Sequence, residues 1–157
     1  MKHVILLRHA KSIPLTNDRD DFKRTLNDKG RADAPRVALA FKHLEIQPDI
    51  VLCSSAARTR ETLELFLPLL NKGIKIIYED NLYHAPASVI LDIINQYSAY
   101  NTIMVVGHNF GISQLADYLS ETGAEEMNTC GLYVLKFQDE ISIPNGRVLH
   151  YLSPKNC

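Results

Sequence analysis

The sequence predicts an α/β fold, a three-layer α/β/α sandwich with a mostly parallel central sheet. Apolar runs typical of strands alternate with helical patterns along the whole chain, which is the rhythm of parallel strands joined by crossover helices. The run at residues 102–106 is apolar, which predicts a central strand covered on both faces. With 157 residues and 46% hydrophobic side chains, the chain is expected to form one domain over residues 1–157.

Each predicted element follows from the spacing of its apolar side chains. The strands are predicted at residues 3–8, 49–53, 75–78, 102–106, 131–137 and 147–152. The helices are predicted after Asn27 to about Glu45, over residues 57–70, from Pro86 onward, and after His108 through Leu119. We expect Gly30 and Pro35 to delay or bend the first helix. The short turn at residues 144–146 predicts an antiparallel edge, and residues 13–25 and 121–130 are expected to be exposed loops.

The composition excludes several kinds of partner. A formal net charge of −1 gives no general attraction for nucleic acid or an anionic membrane, so we expect neither as a partner. No apolar run is long enough to cross a bilayer, and the N-terminal run is too short for a signal peptide. Cys53, Cys130 and Cys157 form no C-x-x-C motif, which fits a reducing compartment. The expected location is therefore cytoplasmic.

Cationic and imidazole side chains follow three of the predicted strands. Arg8 and His9 end the first strand, Arg58 lies in the first turn of the helix after the second, and His108 follows the fourth. Because parallel strands point their carboxyl ends to one edge of a sheet, we expect these four side chains to meet there. Two guanidinium groups and two imidazoles on a nearly neutral protein predict a phosphate site. An anion in front of the helix would also explain an arginine in its first turn.

Four segments of the chain resemble the histidine phosphatase superfamily, and within it the compact branch of SixA-type phosphohistidine phosphatases. The segments are Leu7–Ser12, Arg24–Gly30, Ser54–Thr62 and Val106–Asn109, and they occur in family order over most of the chain. The resemblance implies a phosphoglycerate mutase-like fold. It also implies a phosphatase that needs no metal and no cofactor.

The resemblance further implies a role for each of the four central side chains. His9 would be the nucleophile and would carry the phosphoryl group transiently, which divides one displacement into two. Arg8, Arg58 and His108 would bind the phosphoryl oxygens and stabilise the charge of the transition state. His108 is expected to be cationic when phosphate is bound.

Other side chains near these motifs are secondary candidates. Arg24, His84 and Asn109 are predicted to bind substrate, although Arg24 could simply be solvated and Asn109 could instead cap the fourth helix. Thr62 is expected to support the helix that carries Arg58. The residues that flank the site without an assigned role are Lys11, Ser12 and Thr129.

The predicted site favours phosphohistidine in a protein as the substrate. Superfamily members that act on phosphate esters usually place an acidic residue in the loop after the third strand, whereas residues 82–88 contain none. An imidazole leaving group can depart already protonated, so a missing acid favours a phosphoramidate, although His84 could still supply a proton. The spacing between Arg58 and His108 leaves no room for a lid, and an open site suits a bulky substrate.

Two alternative functions remain open at this point. One is a small-molecule phosphomonoesterase or mutase-like enzyme of the same superfamily, acting on a small phosphorylated substrate. The other is a non-catalytic phosphate-binding module. The presence of His9 argues against the second, because a binding module has no use for a nucleophile.

Overall fold

The computed structural model describes residues 1–157 and contains one six-stranded sheet with helices on both faces. The strands are β1 (Lys2–Arg8), β2 (Ile50–Ser54), β3 (Lys75–Glu79), β4 (Thr102–Gly107), β5 (Leu132–Phe137) and β6 (Arg147–Leu152). The helices are α1 (Asp28–Lys42), α2 (Ala57–Phe66), α3 (Ala87–Asn95) and α4 (Gly111–Leu119). Short 3-10 turns occupy Asp21–Lys23, Leu67–Leu69 and Asp80–Leu82.

The sheet has the strand order β3-β2-β4-β1-β5-β6, so β4 is central, as its apolar sequence predicted. Strands β1 to β4 are parallel to one another, whereas β5 pairs antiparallel with β1 and β6 pairs antiparallel with β5. The predicted antiparallel edge is therefore confirmed. The register pairs Arg8 with Gly107, which brings the carboxyl ends of β1 and β4 side by side.

Two apolar cores lie on opposite faces of the sheet. Val4 and Leu6 pack with residues of α3 and α4, while Ile5 and Leu7 pack with residues of α1 and α2. Because successive side chains of a strand point to opposite faces, β1 contributes to both cores and ties the three layers together. The three-layer prediction is confirmed by this arrangement.

Helix α1 corrects the expectation of a delayed start. It begins at Asp28, directly after Asn27, whose side chain accepts a hydrogen bond from the Gly30 amide at 2.8 Å. Pro35 lies inside the helix on its exposed side, where water can satisfy the Arg31 carbonyl that Pro35 cannot serve. Gly30 lies against the loop after β1, since a Cβ atom there would stand 2.1 Å from the Lys11 carbonyl oxygen.

The second helix is shorter than the predicted 57–70. It ends at Phe66 and continues as a 3-10 turn over Leu67–Leu69, because Pro68 has no amide hydrogen to extend the α-helical pattern.

No helix of the structure combines the length and apolar character needed to span a bilayer.

Candidate active site

One cavity lies at the carboxyl edge of the parallel strands, with a volume of about 470 Å³. The seven side chains predicted for the site all line it: Arg8, His9, Arg24, Arg58, His84, His108 and Asn109. The other lining residues are Lys11, Ser12, Phe110, Glu126 and Thr129. The predicted convergence of distant segments is therefore observed, and two of the flanking residues, Phe110 and Glu126, were not anticipated.

His9 follows β1 and is almost fully buried, with 8% of its surface exposed. Its Nδ1 lies 2.7 Å from the Ala10 carbonyl oxygen, which can only accept, so Nδ1 carries the proton and donates it. Nε2 then has no proton, and its lone pair accepts a long hydrogen bond from the Nε–H of Arg58 at 3.3 Å. This tautomer leaves Nε2 available as a nucleophile.

The electrostatic environment keeps His9 neutral. Burial lowers the pKa of His9 to about 3, and the positive charges of Arg58, Arg8 and Arg24 act in the same direction, against the hydrogen bond to Ala10. A neutral imidazole near pH 7 retains its lone pair. His9 is therefore in the protonation state that attack on phosphorus requires.

Thr62 connects the loop that carries His9 to α2. Its hydroxyl accepts a hydrogen bond from the Ala10 amide at 3.0 Å and donates one to the Arg58 carbonyl at 2.8 Å. The two bonds fix the end of β1 against the first turn of α2. This geometry fits the supporting position that the sequence suggested for Thr62.

His108 follows β4 and is also buried. Its Nε2 shares a hydrogen bond of 2.7 Å with the Ser54 hydroxyl, whereas its Nδ1 has no partner. Burial lowers the pKa of His108 to about 2, and electrostatic repulsion between protonated forms of His108 and His9 and the charge of Arg58 lower it further. In the free site His108 is thus neutral, so the expected cationic form would require a bound anion to stabilise it.

The two central arginines are anchored differently. Arg58, only 1% exposed, donates from Nη1 to the Asp21 carbonyl at 2.8 Å and from Nη2 to an Asp21 carboxylate oxygen at 3.1 Å. Arg8 donates from Nη1 to the Met127 carbonyl at 2.8 Å, while its buried Nε–H has no partner. Arg8 and His108 therefore each hold an unsatisfied buried nitrogen in residues that line the cavity.

Asp21 is a contact residue that sequence reasoning missed. Its carboxylate accepts hydrogen bonds from Tyr83, from His84 at 3.0 Å and from Arg24 at 2.9 Å, in addition to Arg58. Partial burial opposes ionisation, but these hydrogen bonds and the charge of Arg58 hold the pKa of the Asp21 carboxyl well below its usual value. Residues 13–25 read as a loop, and nothing local indicated that this carboxylate would reach α2.

His84 approaches the site from the segment after β3. Its backbone has φ 51, a left-handed conformation that is unfavourable for a residue other than glycine. Its ring lies 4.3 Å from the Tyr83 ring and 5.1 Å from the His108 ring, centroid to centroid. Because Nε2 faces the Asp21 carboxylate, that nitrogen carries a proton and His84 is a hydrogen-bond donor at the edge of the cavity.

Arg24 and Asn109 line the cavity but are engaged by neighbours. Arg24 donates to the Ser12 hydroxyl and the Ile13 carbonyl, both at 2.9 Å. The Asn109 amide donates to Glu126 at 2.9 Å, and its oxygen accepts from Ser113. Capping by Asn109 is wrong, because Phe110 is the N-cap of α4 and forms no side-chain capping bond.

Two carboxylates reach the site although residues 82–88 contribute none. Asp21 arrives from the loop before α1, and Glu126 arrives from the loop before β5. The prediction of a site without an acidic group rested on residues 82–88 alone, and Asp21 and Glu126 correct it. No set of three or more histidine, cysteine or carboxylate side chains is grouped in a way that could hold a metal ion.

Known proteins match this chain in both sequence and fold. The family model of the histidine phosphatase superfamily (branch 1) matches residues 4–84. A chloroplastic Arabidopsis thaliana protein of uncharacterised function is 32% identical over 149 residues, an alignment that covers 86% of this chain. The chain spans 66% of the length of that relative.

Solved structures extend the match over nearly the whole chain. One match is the crystal structure of an Agrobacterium tumefaciens protein that is proposed to be the phosphohistidine phosphatase SixA. It superimposes with a TM-score of 0.85 at 30% identity and covers 98% of this chain and 99% of the other. The protein histidine phosphatase SixA complexed with tungstate gives a TM-score of 0.84 at 20% identity, with 98% of each chain covered. At 20% identity, this SixA structure is evidence for the fold alone.

The sheet order, the cavity at its carboxyl edge and these matches define an α/β protein with the phosphoglycerate mutase-like fold. The chain belongs to the histidine phosphatase superfamily, within which it is a phosphatase of the SixA type.

Proposed function

We propose that this phosphatase hydrolyses phosphohistidine in a protein substrate, with His9 as the nucleophile and a phosphohistidine on His9 as the intermediate. The observation that carries the proposal is the tautomer of His9: Nδ1 donates to the Ala10 carbonyl, so Nε2 carries the lone pair, which faces the Nε–H of Arg58 at 3.3 Å. A phosphoryl group placed over that lone pair would meet Arg8, Arg58 and His108, whose charges and hydrogen bonds would stabilise its oxygens.

The reaction would proceed in two displacements. In the first, the His9 Nε2 lone pair forms a bond to phosphorus, and the bond from phosphorus to the substrate imidazole breaks with its electron pair going to that nitrogen. The substrate imidazole departs neutral, because its other nitrogen already carries a proton. In the second, a water oxygen attacks phosphorus, loses its proton to solvent, and returns the electron pair to His9 Nε2.

The protonation states in the site support a phosphoramidate substrate. The low pKa of Asp21 leaves its carboxyl ionised near neutral pH, so this group has no proton to give to an alkoxide leaving group. The solvent-facing cavity fits the side chain of a larger molecule, since His84, Phe110 and Glu126 on its lining are all exposed. The Agrobacterium tumefaciens relative is proposed to be a phosphohistidine phosphatase, which agrees with a phosphoramidate substrate.

A second candidate function is the hydrolysis of small phosphate monoesters. Glu126 favours it, because a carboxyl group on the lining of the cavity could protonate a departing alkoxide. The Asn109 side-chain amide donates to Glu126 at 2.9 Å. Phosphohistidine hydrolysis is the function we favour, because an imidazole leaving group that already carries a proton needs no acid.

A substrate panel separates the two candidates. The kcat/KM values for a chemically phosphorylated histidine peptide, an aryl phosphate and an alkyl phosphate are measured for the wild type, Glu126→Gln and His84→Ala. We expect the peptide to be the best substrate, the alkyl ester the poorest, and both variants to retain most activity on the peptide. Faster alkyl ester hydrolysis that is lost in Glu126→Gln or His84→Ala would instead establish a phosphomonoesterase with a general acid.

A further inference from the structure

A second, smaller cavity adjoins the active site and shares three lining residues with it. It has a volume of about 240 Å³, and the shared residues are Arg8, Lys11 and Thr129. The remaining lining residues are Lys29, Asn128, Pro154 and Lys155. We call this space the basic annex; three lysines and one arginine line it, and no carboxylate does.

The positive charge of the basic annex is largely uncompensated. Lys11 and Lys155 form no ion pair, and both side chains are exposed. Lys29 pairs with Asp33 at 2.7 Å, but Asp33 also pairs with Arg36 at 3.3 Å and so divides its charge between two cations. Arg8 adds a buried Nε–H without a partner. Cationic side chains are therefore concentrated beside the candidate active site, although the net charge of the protein is −1.

The backbone segments that form the basic annex are fixed to the rest of the fold. The Lys11 carbonyl accepts a hydrogen bond from the Asn27 amide at 3.0 Å, which joins the loop after β1 to the start of α1. The Asn128 amide donates to the Tyr151 hydroxyl at 3.0 Å. Arg36 donates to the Pro154 carbonyl at 2.8 Å and thereby holds the turn that carries Lys155. The cations are thus presented by three ordered segments.

Resting on the proposed function, we infer that the basic annex binds the carboxylates of acidic residues next to the phosphohistidine of the protein substrate. Its connection to the active site through Arg8 and Lys11 would let one chain occupy both cavities, with the phosphoryl group over His9. Lysine ammonium groups on flexible stems tolerate variable carboxylate positions, which suits a peptide better than a rigid second phosphate. The enzyme would therefore prefer phosphohistidine sites with Asp or Glu nearby.

Two phosphohistidine peptides of equal length test this preference. One carries Glu and Asp beside the phosphohistidine, and the other carries Gln and Asn at the same positions. We expect kcat/KM to be about tenfold higher for the acidic peptide at low salt, from several exposed ion pairs of modest strength. The ratio should fall toward one at high salt because the charges become screened.

Matched charge-removal variants locate the effect. Lys29→Gln combined with Lys155→Gln should reduce the acidic-to-neutral ratio severalfold. The control is Lys42→Gln combined with Lys72→Gln, which removes the same charge from exposed positions outside both cavities and should keep the ratio. A ratio near one in the wild type, or an unchanged ratio in the Lys29 and Lys155 variant, would overturn the inference.

Failure of the proposed function would be distinguishable from failure of the annex. If neither peptide is dephosphorylated, the proposed function is wrong. Binding of the two unphosphorylated peptides, measured by fluorescence anisotropy, then still decides the inference: the annex requires tighter binding of the acidic peptide and its loss in the Lys29 and Lys155 variant. A charge preference found only among small carboxylated aryl phosphates would also overturn the peptide assignment and indicate a small-molecule substrate.

Discussion

At the scale of single residues, burial and hydrogen bonds to neighbours set the protonation state and the tautomer of the two buried imidazoles. Nδ1 of His9 donates to the Ala10 carbonyl, so Nε2 carries the lone pair, and desolvation holds the ring neutral. His108 has the opposite arrangement, with Nε2 bonded to Ser54 and Nδ1 without a partner. In the proposed mechanism, His9 attacks phosphorus and the unpartnered Nδ1 of His108 binds a phosphoryl oxygen.

Anion binding should draw a proton onto His108. Its pKa of about 2 in the free site reflects desolvation and neighbouring positive charge, and a bound dianion would raise that pKa by favouring the charged imidazole. We expect tungstate binding at pH 7 to take up as much as one proton per site, measured by calorimetry in two buffers with different ionisation enthalpies. The His108→Gln variant should lose this uptake. Equal heats in both buffers for the wild type would show that His108 stays neutral.

At the scale of elements, glycines let two helices start against loops that carry site residues. A Cβ atom on Gly30 would stand 2.1 Å from the Lys11 carbonyl oxygen, and one on Gly111 would stand 1.8 Å from the Ala85 carbonyl oxygen. These approaches hold the loop after β1 against α1 and the segment of His84 against α4. The loops at the carboxyl edge of the sheet can therefore pack this closely only because Gly30 and Gly111 have no side chains.

The Gly30→Ala substitution tests this dependence. Alanine is the better helix former, yet its methyl group would collide with backbone at Lys11, so we expect a loss of about 1–3 kcal/mol in the free energy of unfolding. We also expect lower kcat/KM, because the loop that follows His9 would shift. Denaturant unfolding and steady-state kinetics measure the two effects. The control is Ala32→Gly on the exposed side of α1, which should cost about 1 kcal/mol and leave kcat/KM intact.

The elements that sequence predicts well are those whose information is local. The strand ends at Arg8 and His108 follow from apolar runs that stop abruptly, and the parallel topology then places them together. The delayed start expected for α1 was wrong because Pro35 is tolerated on an exposed helix face, which depends on tertiary context. Asp21 and Glu126 were missed for a similar reason. Their loops have no periodic pattern, and their roles come from contacts with residues far away in the chain.

At the scale of the whole molecule, two apolar cores support a polar site at the edge of the sheet. Thr62, His9, Arg58 and His108 are all buried there, and burying polar groups opposes folding unless they are satisfied. His9 and His108 add a proton-linked cost, because the folded state disfavours their charged forms. The free energy of unfolding therefore depends on pH through the same two histidines that line the site.

The free energy of unfolding should fall as the pH drops below about 6.5. An unfolded histidine binds a proton below that pH, while folded His9 and His108 remain neutral until their lowered pKa values of about 3 and about 2 are reached. The unfolded state then binds more protons, so stability rises with pH across this window, by at most about 1.4 kcal/mol per pH unit for each group. Urea unfolding between pH 4.5 and 7.5 measures the slope. A variant with both His9→Gln and His108→Gln should show a smaller slope, and an identical slope would contradict the assigned burial effect.

The most direct test of the central claim is to trap the phosphoryl group on the enzyme. The wild type and His9→Ala are incubated with a phosphohistidine peptide carrying labelled phosphate, quenched in base, and mapped by mass spectrometry. We predict a base-stable, acid-labile phosphate on His9 in the wild type and none in His9→Ala. Equal labelling of the variant, or labelling of another residue in the wild type, would show that His9 is not the nucleophile.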